Sequence, residues 1–155
     1  MKKGDVDVGK VFMSENYFSL LQLNICFSID LKLLEQNYIT IQRAYHPDCF
    51  SSQSDKKLAL EYISKINKAY QVLKSPLSRA EYILQLKNIK LSSYDDQCII
   101  KEVFQVQESS TNLHNEILAC IQNIENFFSK NDLYEAAKQT NKLKYLSKGK
   151  TYAAH

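Results

Sequence analysis

Ala44-Tyr45-His46-Pro47-Asp48-Cys49-Phe50 interrupts two long helical patterns with residues that no helix interior holds together. Pro47 has no backbone donor and biases His46 away from the α region, so the helix before it should end at Tyr45 or His46. Ser51-Ser52-Gln53-Ser54-Asp55 is polar turn material whose Ser and Asp side chains can cap a following helix. His46 and Asp48 are therefore expected on an exposed loop that Tyr45 and Phe50 anchor. Polar side chains displayed on an anchored loop point to binding.

Upstream, Leu34, Tyr38, Ile41 and Tyr45 recur at helical spacing behind a cap at Ser28 or Asp30. Downstream, from about Asp55 to Leu73, Leu58, Tyr62, Ile66, Ala69 and Leu73 repeat the pattern. Two such stripes joined by a loop of about nine residues pack as an antiparallel hairpin, with the loop at its far end. Before the hairpin, residues 15–21 read as a short helix whose Tyr17, Phe18 and Leu21 pack inward, and residues 1–14 as a mobile lead-in. After it, Lys74-Ser75-Pro76 stops the helix, and Leu77 to Leu84 begins a fourth that can close the hairpin's open side.

Asn88 to Tyr94 is a polar break and is taken as the boundary between a first module, 15–87, and a second, 95–155. Asp95 or Asp96 caps a helix running to Glu108, and Ser109-Ser110-Thr111-Asn112 ends it. Leu113, Ile117, Cys120 or Ile121, Ile124 and Phe128 mark the next helix. Ser129-Lys130-Asn131-Asp132 turns into a short last one carrying Leu133, Ala136, Ala137, Thr140, Leu143 and Leu146. The expected fold is all-α, the second module being a three-helix bundle.

Composition agrees and excludes several classes. Only three Gly and two Pro in 155 residues, with 45% apolar residues, suit helices around a core. A formal charge of +3 with both signs interspersed does not demand a polyanion. Cys26, Cys49, Cys98 and Cys120 form no C-x-x-C and have no His at ligand spacing, so no zinc site, disulfide framework or other cofactor is expected and a reducing cytoplasm fits. No run approaches the roughly 18 apolar residues of a membrane span, and Met1-Lys2-Lys3 leads into Gly4-Asp5-Val6-Asp7 rather than a secretory core.

His46-Pro47-Asp48 between two antiparallel helices resembles the J-domain, with which co-chaperones stimulate ATP hydrolysis by heat-shock chaperones. The stretch Ile66 to Leu84 sharpens this. Ala69-Tyr70 and Leu73 suit any J-domain, but Pro76 followed by Arg79-Ala80-x-Tyr82-Ile83-Leu84-x-Leu86 resembles the HscB family of iron–sulfur cluster assembly. That resemblance implies an N-terminal J-domain that engages a chaperone of the HscA type. It also implies a C-terminal three-helix bundle that binds a scaffold protein of the IscU type. It assigns His46, Pro47 and Asp48, with Lys32 and Arg43 on the preceding helix, to the chaperone. Ile100, Lys101, Phe104, Gln105 and Glu108, with Tyr145 on the last helix, are assigned to the scaffold. Cys49 stands where many relatives carry Lys, and Lys32 and Arg43 are the only basic residues of the second helix, which implies a reduced steering charge.

Other readings were weighed against this one. His46 and Asp48 form no acid–base pair with a recognisable nucleophile or orienting group, so the chain reads as an ATPase activator and adaptor rather than an enzyme. A basic nucleic-acid-binding module would use Lys56, Lys57, Lys65 and Lys68, but these lack interleaved aromatics and read as a solvated face. Ile99, Val103 and Val106 can face inward while Ile100 and Phe104 fall on another side, more apolar surface than one stripe requires. The competing reading buries Phe104 and Tyr145 in the core.

Overall fold

The computed structural model describes residues 16–91, 96–108 and 112–152. The lead-in 1–14, residues 92–94 of the break, the proposed cap Asp95 and the Ser109–Thr111 interruption lie outside the described residues. Within them the chain forms seven α-helices and one 3-10 turn and no strand, so the all-α expectation is borne out. It divides into two compact units, one built from the described residues up to Ile25 together with Ile29–Lys74, the other from Cys26–Ser28 and the residues from Ser75 onward.

In the first unit, α1 is Tyr17–Leu20, α2 Leu31–Ala44 and α3 Gln53–Lys74. Asn16 opens α1 with a capping box shared with Ser19. Of the two candidate caps for α2, Asp30 is used: its carboxylate accepts from the Lys32 and Leu33 N–H groups at 2.8 and 3.2 Å. The Ser52 hydroxyl accepts from the Asp55 N–H at 3.1 Å at the start of α3.

The hairpin is antiparallel, because partners fall along α3 as residues rise along α2. Tyr38 stacks on Tyr70 at 4.2 Å between centroids, and Tyr45 meets Tyr62 edge-on at 4.6 Å. Leu34 and Ile41 are buried beneath them. On α3 the buried row is Ala59, Tyr62, Ile66, Ala69 and Leu73. Leu58, expected in that row, is 37% exposed, because Ala59 and not Leu58 continues the alternating three–four spacing toward the start of the helix. The hairpin's open side is filled by α1, which packs on α3 and buries Phe18, Leu20 and Leu21. Ile66→Ala should cost about 2–5 kcal/mol in urea unfolding, whereas Leu60→Ala, at 56% exposure, should stay within about 0.5 kcal/mol.

The second unit contains α4, Pro76–Leu86; α5, Asp96–Glu108; α6, Leu113–Ser129; and α7, Leu133–Tyr152. Ser75 caps α4 with Pro76 in the first turn. α4 ends in a left-handed Asn88 (φ 58°), with the Ile89 N–H reaching back to the Leu84 carbonyl at 2.9 Å. Asn131 (φ 54°) ends α6 the same way, and the Asp132 carboxylate then accepts from the Glu135 N–H. α7 extends to Tyr152, longer than the short last helix expected.

α5, α6 and α7 pack as the expected bundle around Ile99, Val103, Cys120, Ile124, Leu143 and Leu146. α4 joins them, burying Leu84 against Ala136 and Ala137, whose missing side-chain bulk allows the close approach. This differs from the expectation that α4 closes the hairpin. Phe27, which sequence periodicity did not single out, stacks on Phe128 at 5.6 Å and lies under the Arg79 guanidinium at 5.0 Å. Burial lowers the Arg79 pKa, and nearby Cys26 and Glu125 oppose the shift. Lys142 reaches Glu102 on α5 and Glu116 on α6 at 3.5 and 3.6 Å. The Cys120 thiol is pushed up to about 11, chiefly by burial, and so is a packing residue rather than a reactive one.

Candidate functional site: the His46–Cys49 loop and the outer face of α5

Every backbone donor from Pro47 to Phe50 has an accounted fate. Pro47 has none to offer, Cys49 N–H bonds the His46 carbonyl at 2.9 Å, and Phe50 N–H bonds the Pro47 carbonyl at 3.1 Å. These bonds wind Pro47–Cys49 into a 3-10 turn. His46 precedes it in an extended conformation (φ −60°, ψ 135°), as a residue before proline prefers, and its Nδ1 accepts from the Asp48 N–H at 3.3 Å. Nδ1 also lies 3.5 Å from the Asp48 carboxylate.

The loop displays its polar groups and hides its anchors. The His46 and Asp48 side chains are 59% and 88% exposed, while Tyr45, Pro47 and Phe50 are half-buried. Tyr45 fixes the entry through its contact with Tyr62. Burial raises both phenols, Tyr62 to about 12 with a further push from Tyr45, so neither carries charge at neutral pH. Beside the loop, Tyr38, Ile39, Gln42, Arg43, His46 and Cys49 line an open groove of about 640 Å³. The Cys49 thiol donates to the Arg43 carbonyl at 3.7 Å, where α2 runs out of partners for its last carbonyls.

Arg43 and His46 thus meet in one groove. Lys32 is exposed on the same side of α2 as Arg43 but about 16 Å away along the axis, so it does not touch the loop. Ile39 and Gln42 were missed by the sequence reading. Ile39, 39% exposed, was legible as an apolar residue lying off the Leu34–Ile41 stripe. Of the α3 lysines, Lys57, Lys65 and Lys68 are exposed on one side of the helix, whereas Lys56 is half-buried on another.

On α5, Ile99 and Val103 are each 4% exposed and Val106 is half-buried, whereas Ile100 is 46% and Phe104 62% exposed. Phe104 is therefore not a core residue. Lys101 and Gln105 flank it in solvent, and Tyr145 is half-buried on α7, the helix against which α5 packs. The Glu108 side chain lies outside the described residues. Among the described residues no cluster of His, Cys, Asp and Glu could hold a metal ion, and no helix is long and apolar enough to cross a membrane.

A family model described as the DnaJ domain matches residues 16–82, and one described as the HSCB C-terminal oligomerisation domain matches residues 98–151. The chain is 40% identical over 95 residues, 60% of its length and 54% of the relative's, to the co-chaperone protein HscB homolog of Shewanella loihica. The chain belongs to the HscB family. It is also 39% identical over 112 residues to the co-chaperone protein HscB of Proteus mirabilis, covering 64% of this chain and 65% of that one. The crystal structure of human co-chaperone protein HscB superposes with a TM-score of 0.79 at 27% identity, over 92% of this chain and 84% of that one. The alignments span about half to two-thirds of the length of these curated HscB relatives. The DnaJ-domain and HSCB C-terminal matches fall on either side of the 88–94 break, whereas the compact units part at Lys74 and Ser75, which places α4 among the C-terminal helices.

Proposed function

We propose that this HscB-family protein is a cytoplasmic co-chaperone that stimulates ATP hydrolysis by a heat-shock chaperone of the HscA type. In this reading it also delivers an iron–sulfur scaffold protein of the IscU type to that chaperone. The observation that carries the reading is the His46-Pro47-Asp48 turn, exposed at the end of an aromatic-locked hairpin in a chain whose C-terminal part matches the HscB model. His46, Pro47 and Asp48 contact the chaperone, with Arg43 beside them in the groove and Lys32 contributing long-range charge. Ile100, Lys101, Phe104, Gln105 and Glu108, with Tyr145, take the scaffold. The chain works as an adaptor and ATPase activator and not as an enzyme. A nucleic-acid-binding role is disfavoured because no exposed aromatic stands among the α3 lysines: Tyr62 is buried and Tyr70 stacks on Tyr38.

The deciding experiment adds the purified protein to a matched chaperone, with and without scaffold, and follows ATP turnover. Stimulation by the protein alone, rising further with scaffold, supports the proposal; no stimulation under either condition overturns it.

Tethering supplies the rise. A short linker holds the bound scaffold near the chaperone at an effective concentration of about a millimolar. Cutting the chain between Lys74 and Ser75, parting the fragments and remixing them at about micromolar concentration should therefore abolish the synergy with scaffold. The cut belongs there because it keeps Leu84 of α4 with Ala136 and Ala137, and parting the fragments then has to break the contacts of Phe27 with Phe128 and Arg79. Remixed fragments as effective as the intact chain would refute the tethering account.

A further inference from the structure

We infer that His46 is held as the Nε2–H tautomer, its Nδ1 serving inside the loop as the cap of the Pro47–Cys49 turn and its Nε2–H offered outward as a donor. Among the donors of this turn only the Asp48 N–H has no backbone acceptor, since Pro47 lacks a hydrogen and the next two N–H groups are used within the turn. Nδ1 receives it at 3.3 Å, as the side chain of a capping residue does at the start of a helix.

A second contact competes for the same atom. The Asp48 carboxylate, 3.5 Å away, would favour a proton on Nδ1. The backbone donor wins on two grounds. The carboxylate is 88% exposed, free to rotate and solvated by water, so the ion pair is worth little. The Asp48 N–H, in contrast, is fixed by the turn, and a protonated Nδ1 would set two donors face to face. With Nδ1 committed to the backbone, the other ring nitrogen, on the far edge of the ring, carries the proton and points away from the turn; His46 lines the groove together with Arg43. The order His-Pro-Asp then has a physical logic: proline removes one orphan donor, histidine satisfies the next, and aspartate supplies it while displaying a carboxylate.

The consequence for recognition rests on the proposed chaperone contact: the partner has to present a hydrogen-bond acceptor to Nε2–H. The consequence for the loop does not rest on it. His46 is in this sense a positioning residue as well as a contact.

The test uses the full-length protein labelled with nitrogen-15, at a mildly alkaline pH where imidazole is neutral. Two-bond proton–nitrogen spectra should show Nδ1 unprotonated and Nε2 protonated; the reverse tautomer or an even mixture overturns the inference. Amide exchange then separates the two roles of the ring. His46→Asn places a carbonyl oxygen where Nδ1 stood, so the Asp48 amide should exchange as in the parent, whereas His46→Gln should speed its exchange about fivefold, the loss of one cap. Equal exchange in the two variants refutes the capping role. His46→Asn should nevertheless lose chaperone stimulation, because its amide ends short of the Nε2 position and leaves no donor there; full stimulation by it refutes the donor role. If the parent protein stimulates no chaperone while the tautomer and exchange results hold, the proposed function fails and the loop assignment stands.

Discussion

Replacing His46 by Gln or Asp48 by Asn is expected to reduce stimulated ATP turnover by at least tenfold, about the loss of one charge-assisted hydrogen bond. Thermal unfolding should move little, by the equivalent of about 0.5–1 kcal/mol, because neither side chain enters the hairpin core. The two variants fail for different reasons. Asp48→Asn keeps the turn, whose bonds are made by backbone atoms, and removes the charge that faces the partner. His46→Gln removes the acceptor of the Asp48 N–H and so loosens the turn as well. Circular dichroism and scaffold affinity, measured beside the ATPase rate, should match the parent in both. Variants that melt early would return the loop to a structural role, and variants that stimulate normally would place the chaperone contact elsewhere.

The second large effect is expected at Phe104. A phenyl ring 62% exposed on a packed helix, with Ile100 one turn before it at 46%, forms an apolar strip edged by Lys101 and Gln105. In such strips a few central residues carry most of the binding free energy. Phe104→Ala should weaken scaffold binding by about 2 kcal/mol, roughly thirtyfold, and Lys101→Ala at the rim by well under 1 kcal/mol. Calorimetric titration with the scaffold checks both. Because the ring is largely outside the core, Phe104→Ala should leave the unfolding midpoint nearly unchanged. ATPase stimulation without scaffold should also be unaffected. Normal scaffold affinity in the Phe104 variant would remove the anchor from this face.

Local chemistry was legible from the residues alone. Pro47 ends α2 and Pro76 marks the break between α3 and α4 because each fixes its own φ and lacks a donor, and Asp30, Ser52 and Asp132 cap helices because their oxygens meet N–H groups in the first turn. Spacing told the apolar side of α2, α3 and α5 from the wet one, and so separated Ile99 and Val103 from Ile100 and Phe104. The exposed His46–Asp48 loop followed from the same rules.

What covers each apolar side was decided only in three dimensions. Periodicity gives a helix a face but names no neighbour for it. α4 could have closed the hairpin, yet Ala136 and Ala137 on α7 leave room for Leu84 that only the folded bundle reveals. Leu58 is the more apolar of its pair with Ala59, yet the row on α3 buries the alanine. Phe27 belongs to no periodic run, and its place between Phe128 and Arg79 depends on residues far away in the chain. The atom through which His46 holds its loop lies deeper still. It depends on which backbone donors the folded turn leaves unpaired, an outcome of hydrogen-bond geometry that residue order alone does not contain.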